Sequence, residues 1–355
     1  MKKNIETWDA GGADLLALFR ALKGDLFSFR ELVPDDLAPM RVKGLVHAHV
    51  AIRGTKKILR IPRSGAFGLS PAANLKYQAA CFSRAYPCGH VPVLHAIIPP
   101  QVGIPWGALI ISEIEGCVPR LPEELVSIAE ALASIHSLPV PEKVDQQPLP
   151  FHADPIAATL RVIEAQSRYM DDADITPASR RQIDEELARA HDFAANADCC
   201  DLPITLVGTD THPGNFMIQS DGTAVFVDLE KMLYGAPAID LAHATVYTST
   251  MWDSDVATVI SDKDVNLFYE AYFSELTREL GDRIRPWCGP FRRITWLRTT
   301  TWCAKLRVES RAGAAWSGSH HDPEYIASVH RRIDDYFDPE TIAQIREGFN
   351  DGQSA

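Results

Sequence analysis

No run of the sequence approaches roughly 18 uninterrupted apolar residues, so a membrane-spanning helix is not expected. The opening stretch from Met1 to Asp9 lacks the apolar segment of a secretory leader, so secretion is not expected either. Seven cysteines (positions 81, 88, 117, 199, 200, 288 and 303) form no C-x-x-C pair. An odd number without metal spacing points to reduced thiols in a cytoplasmic protein. Basic residues are outnumbered, 35 against 47 acidic, and the net charge of -12 argues against nucleic acid as the main partner. That charge permits a cationic small substrate without requiring one. No H-E-x-x-H or H-x-x-x-H pattern lies near His136, His212 or His243, which excludes the common zinc arrangements there. The absence of G-x-S-x-G removes the basis for a serine hydrolase. There is no internal repeat and no low-complexity tract.

The 355 residues, 46% of them apolar, are those of a globular protein too long for one small core, and two lobes are expected. From Met40 to Arg63 the pattern is that of strands, with His47–Arg53 and Lys57–Ile61 joined by a turn at Gly54-Thr55. Residues 71–86 carry helical spacing, with Leu75, Ala79 and Phe82 on one face. Val91–Ile98 and Ala108–Ile114 read as two more strands. A helix follows from Pro122 to Ser137, striped by Leu125, Ile128, Leu132 and Ile135 and stopped by Pro139 and Pro141. The proline-rich stretch Pro139–Pro155 is a connection. Residues 156–197 are helical and charged, and from Pro237 onward the chain is mostly helical. The fold class is therefore α+β: an N-terminal lobe over residues 1–116, with a helical extension over 1–39, and a helical C-terminal lobe over 117–355.

The most informative stretch runs from Val207 to Asn215 and continues at Ala224–Glu230. It spaces Asp210, Asn215 and Asp228 five and thirteen residues apart, linked by a turn-rich loop and a short apolar strand. Such a set suits a group that orients a substrate hydroxyl and two oxygen ligands for magnesium on a nucleotide. Phosphoryl transfer needs those parts, since its catalysis is mostly positioning and charge neutralisation. On the loop alone, a capped turn followed by a strand end fits as well, because Asp, Asn, Gly and Pro fill ordinary turns.

Other residues extend the set. Arg60 lies mid-strand between apolar neighbours, where a cation can meet phosphates; an outward-facing arginine on an edge strand is the plainer reading. Gly44 to His49, including His47, can form a turn whose backbone N–H groups cover phosphates, although with a single glycine. Gln78 sits on the following helix where an acidic partner for Arg60 is expected, so Arg60 should be held less firmly. Glu113 and Ile114 end a strand at the connection between lobes, where free backbone groups can pair with an adenine edge; a plain linker fits equally. Asp240 opens a helix and either caps it or braces the loop. Trp252, Trp296, Trp302 and Trp316 can form a cation-binding wall, with core packing the default. His320-His321 reads as a solvated pair.

Four segments in order, His212-Pro-Gly-Asn215, Val227-Asp-Leu-Glu230, Gly235-x-Pro-x-x-Asp-Leu-Ala242 and Ala131-Leu-Ala-Ser-Ile-His136, resemble the aminoglycoside phosphotransferase and choline kinase superfamily. The resemblance covers residues 40 to 280. It implies a protein-kinase-like bilobal fold, with a small antiparallel-sheet lobe and a larger helical lobe. It further implies ATP or another nucleoside triphosphate, Mg2+ and a small-molecule acceptor bound over the helical lobe. By the same resemblance Asp210 is the catalytic aspartate, Asn215 and Asp228 the metal ligands, and Arg60 the phosphate-contacting cation. The family usually has His-Gly-Asp where this chain has Gly208-Thr-Asp210, which puts the rigidity of the loop in question. The expected function is phosphotransfer to a hydroxyl of an aminoglycoside-, choline- or sugar-like molecule. The alternative is a nucleotide-binding pseudokinase with a regulatory role. A protein kinase proper is disfavoured, because no activation segment with an Ala-Pro-Glu ending follows Asp228.

Overall fold

Alternation along one strand sets the architecture. In Lys57–Pro62, Leu59 and Ile61 face one side of a sheet and pack with Val50, Ile52 and Ile110 beneath an N-terminal helix. Ile58 and Arg60 therefore face the other side, toward the bulk of the molecule. The computed structural model describes residues 14–25, 29, 31–40, 46–314 and 323–351. Its first part runs α1 (Leu15–Asp25), β1 (Leu37–Pro39), β2 (His47–Ile52), β3 (Lys57–Pro62), α2 (Pro71–Ala85), β4 (Leu94–Ile98) and β5 (Ala108–Ser112). The five strands form one antiparallel sheet in the order β1-β2-β3-β5-β4.

β5 reads as an unbroken apolar run because both of its faces are covered. Ala108 and Ile110 join Leu18 and Leu22 of α1, while Leu109 and Ile111 join Leu75 and Phe82 of α2. The stretch expected as a helical extension contains a helix at α1 and also the edge strand β1. Three residues ending in proline carry no alternation to read, and β2 supplies the ladder that defines them. The strand expected from Val91 begins only at Leu94; Pro92 has no N–H to offer a ladder.

The second part continues with α3 (Leu125–His136), α4 (Pro155–Ser167), α5 (Pro177–Asn196), β6 (Thr205–Val207), β7 (Phe216–Ile218), β8 (Ala224–Phe226) and β9 (Leu233–Gly235). It ends with α6 (Ala238–Thr245), α7 (Tyr247–Thr250), α8 (Asp262–Ser274), α9 (Arg278–Ile284), α10 (Cys288–Arg311), α11 (Pro323–Tyr336) and α12 (Pro339–Asp351). The stripe Leu125, Ile128, Leu132 and Ile135 is buried, and α3 packs against α8 and β8. α10 packs against α4 and α6 and anchors a separate core around Trp296.

Trp296 is fully buried with its ring 6.0 Å from that of Phe349. Trp252 and Trp302 meet edge to face at 5.3 Å, and the Arg332 guanidinium lies over Trp252. The protein's own cation thus occupies that aromatic surface. Trp316, His320 and His321 lie outside the described residues. All seven cysteines are free. Among the described residues no helix is long and apolar enough to cross a membrane.

Gly107 leads into β5 with φ at 68°. A Cβ there would lie 2.5 Å from the Ile98 carbonyl oxygen and 2.8 Å from Leu75 Cδ2. Gly107→Ala should therefore lower unfolding free energy by more than ~1 kcal/mol, seen as a lower urea midpoint with an unchanged slope.

Candidate active site

Two short ribbons carry the site. β6 pairs with β9 and β7 with β8, both antiparallel, and the connections between them hold Asp210, Asn215 and Asp228. A buried carboxylate holds the start of the loop from Gly208 to Asn215. Asp240, on the first turn of α6 and 0% exposed, accepts the Gly208 N–H at 2.6 Å and the Thr209 N–H at 2.7 Å. Its backbone carbonyl accepts the Thr211 hydroxyl at 2.8 Å. His136, at the end of α3, stands 3.1 Å from Asp240 Oδ2 through Nε2 and 2.8 Å from the Tyr272 hydroxyl through Nδ1. Asp240 is therefore the brace of the loop rather than a helix cap.

The glycine at 208 has a packing cause. A Cβ there would sit 2.7 Å from Thr211 Cγ2 and 3.0 Å from the Phe226 ring. Phe226 is fully buried, lies with its ring tilted against that of Phe216 at 5.1 Å, and fills the space a side chain at 208 would need. Loop rigidity comes from Phe226 and Asp240 together. At the far end Asn215 Nδ2 donates to the Asp210 carbonyl at 2.8 Å, which leaves its Oδ1 as an acceptor. Val227 N–H donates to the Asn215 carbonyl at 2.9 Å and keeps Asp228 beside it.

Asp210 keeps 21% of its side chain open and Asp228 30%, so a ligand can reach both. Lys231 Nζ lies 2.5 Å from Asp210 Oδ2, and His243 Nε2 lies 3.7 Å from Oδ1. Burial opposes the charge on Asp210, but the Lys231 ammonium overrides it and holds the carboxyl well below the usual range. Lys231 is itself opposed by burial and raised by Asp210 and Glu230. Lys231 was not legible from composition, since a lone lysine in a loop reads as solvated; it follows directly on Glu230, one residue past the quoted segment.

Arg60 is 4% exposed and donates to Asp228 Oδ1. Its Nη2 also lies 3.1 Å from His47 Nδ1 and 4.0 Å from Glu230 Oε2. His47 Nδ1 is 3.1 Å from Glu230 Oε2, and its Nε2 is 3.1 Å from Gln78 Oε1. Gln78 thus reaches Arg60 through an imidazole, and the acid that a helix partner would supply comes instead from Asp228 and Glu230. The expectation of a loosely held Arg60 is corrected. Burial and then the Asp228 charge push Glu230 up to about 7, and burial followed by Arg60 lowers His47 well below its ordinary value. His47, Asp228 and Glu230 place ligand atoms within 4.8 Å of one another, but the Arg60 guanidinium already supplies the cation there.

His47 does not lie in a turn: His47 and His49 stand in the β2–β3 ladder opposite Pro62 and Arg60. Gly44 lies outside the described residues. Glu113 and Ile114 follow β5, the strand beside Arg60's own. The Glu113 N–H is already taken by the Lys56 carbonyl at 3.0 Å, which corrects the expectation of free groups at both positions. The backbone of Ile114 carries no protein hydrogen bond among the described residues.

A mid-sheet cation that clasps one carboxylate, with a second carboxylate on a braced loop beside it, sits here in a protein-kinase-like fold. The chain belongs to the phosphotransferase enzyme family (APH), whose family model matches residues 43–286, and it is a phosphotransferase. Its structure is similar to that of Plasmodium vivax ethanolamine kinase at 13% identity, covering 93% of this chain and 89% of that one, with a TM-score of 0.59. A spectinomycin phosphotransferase in complex with ADP and spectinomycin matches at 10% identity over 88% of this chain and 93% of that one, TM-score 0.59. A choline/ethanolamine kinase family protein from Mesorhizobium loti matches at 16% identity over 94% and 100%, TM-score 0.55. At these identities the likeness is one of fold. No curated protein matches the chain by sequence.

Two predictions follow from this geometry. Asp240→Ala strands two buried N–H donors and should cost on the order of 3 kcal/mol, measured by denaturant unfolding. Burial pushes His243 down to about 3, with Asp210 opposing. Its folded value lies below its unfolded one, so the unfolded chain takes up the proton first. The stability tied to neutral His243 is complete above the unfolded value near 6.5 and is lost as pH falls toward about 3. Unfolding midpoints should therefore drop less between pH 7 and pH 4, two assay values bracketing that window, in His243→Asn than in the parent.

Proposed function

We propose that this enzyme moves the γ-phosphoryl group of ATP, or of another nucleoside triphosphate, to a hydroxyl of a small polar molecule. Asp210 orients the acceptor hydroxyl, and Arg60 steadies the phosphates. The observation that carries the reading is the clasp of Arg60 on Asp228 while Asp210 stays open beside it. With its carboxyl held well below the usual range, Asp210 is a poor proton acceptor, so its part is to place the hydroxyl.

The donor set at Asn215 and Asp228 fits magnesium. Asn215 Oδ1 is freed by the bond its Nδ2 makes, and Asp228 Oδ2 has no protein partner among the described residues. When bound, the ion would neutralise phosphate charge. Ile114 would offer its unpaired backbone to the base of the nucleotide. The family match and the small-molecule kinases of similar fold support a hydroxyl-bearing acceptor that is choline-, aminoglycoside- or sugar-like.

Titration calorimetry with ATP and GTP, with and without magnesium, tests the reading, followed by transfer assays on a panel of amino alcohols and sugars. Asp210→Ala should lower transfer by roughly 10²–10⁴-fold while leaving nucleotide affinity unchanged. Arg60→Ala should weaken nucleotide binding about tenfold, or ~1.4 kcal/mol. Failure of the parent protein to bind any nucleoside triphosphate would sink the proposal.

A further inference from the structure

Thr209, which precedes Asp210 in the chain, and Lys231, which contacts its carboxylate, are tied to each other around it. Thr209 has φ at 59°, the left-handed region, where a β-branched residue is strained and glycine is at ease. Three bonds hold it there. Its N–H donates to Asp240, its carbonyl accepts Arg298 Nη1 at 2.9 Å, and its hydroxyl donates to the Lys231 carbonyl at 3.0 Å. Lys231 answers through its side chain, with Nζ 2.5 Å from Asp210 Oδ2 and 3.9 Å from Glu230 Oε1. Residues 209–210 and residue 231 are therefore tied twice, hydroxyl to carbonyl and ammonium to carboxylate.

The ion pair is favourable, since Lys231 keeps the Asp210 carboxylate charged against burial, but the backbone conformation at Thr209 is a cost. A glycine at 209 would relieve the strain and lose the bond to Lys231. Strain retained next to a reacting group points to a role in placing it.

The geometry points to Thr209 and Lys231 as positioning residues: Thr209 fixes the backbone of Lys231, and Lys231 engages Oδ2 of Asp210 so that Oδ1 is presented to the acceptor hydroxyl. The inference rests on the role proposed above for Asp210. Lys231 acts through Asp210, so its loss should be felt in transfer and not in nucleotide binding. Its effect should also vanish when Asp210 is already gone.

The full-length protein is tested with magnesium-ATP, by calorimetry for binding and by release of inorganic phosphate with water as acceptor. Lys231→Met should keep nucleotide affinity within about twofold and lower phosphate release about tenfold or more, with Lys231→Arg recovering a large part. Adding Lys231→Met to Asp210→Ala should cause no further loss. Thr209→Gly should melt no lower than the parent and still release phosphate more slowly. A crystal structure of nucleotide-loaded Lys231→Met should show the Asp210 carboxylate turned from its original direction, a reading that does not depend on turnover.

An unturned carboxylate, or a loss that adds fully to that of Asp210→Ala, overturns the inference. Weakened nucleotide binding in Lys231→Met also overturns it, since Lys231 would then be a phosphate ligand. Absence of nucleotide binding in the parent protein overturns instead the role of Asp210 on which the pair depends.

Discussion

The site depends on one buried charge. Asp240 has no access to solvent, so its carboxylate must be satisfied by the protein, and it finds two backbone N–H groups of the loop and the imidazole of His136. Removing those donors would leave a charge buried without partners. Removing the charge would leave the donors unpaired. The loop, α3 and α6 are therefore locked in one arrangement, and Asp210 inherits its position from that lock. Tyr272 of α8, bonded to the far nitrogen of His136, extends the same constraint into the helical core.

A second constraint concerns cations. The cleft gathers Asp210, Asp228 and Glu230 near one another, and their mutual repulsion is offset by Arg60 from the sheet and Lys231 from the loop. Arg60 reaches across from the sheet to Asp228 and Glu230 and so ties the two halves of the molecule together, while Lys231 neutralises Asp210 from within the helical half. The polar residue of α2 takes part only indirectly, through His47. A neutral Gln78 is sufficient there because the acids that hold Arg60 come from the other side of the cleft.

Much of this was legible beforehand. The β2–β3 hairpin follows from two strand-like runs around the Gly54-Thr55 turn, and the α3 stripe from helical spacing of four large aliphatic residues. Asp210, Asn215 and Asp228 were legible because turn residues and an apolar strand place them at fixed offsets. The edge strand β1 was not legible, since three residues carry no period. The partners of Arg60 were not legible either, since Glu230 lies 170 residues away in the chain. Gly208 looked like a loss of packing, yet Phe226 fills the space, a compensation visible only when β8 is seen lying beneath the loop.

Sequence by itself determined the α+β class, the order of most elements and the spacing of Asp210, Asn215 and Asp228. Those follow from local periodicity and turn chemistry, which act over a few residues. Tertiary structure alone decided which charges neutralise which, that Asp240 braces rather than caps, that the Glu113 N–H is already spent, and that Lys231 grips Asp210. The physical reason is that electrostatic and hydrogen-bond partners are chosen by distance in space, and burial makes those choices obligatory.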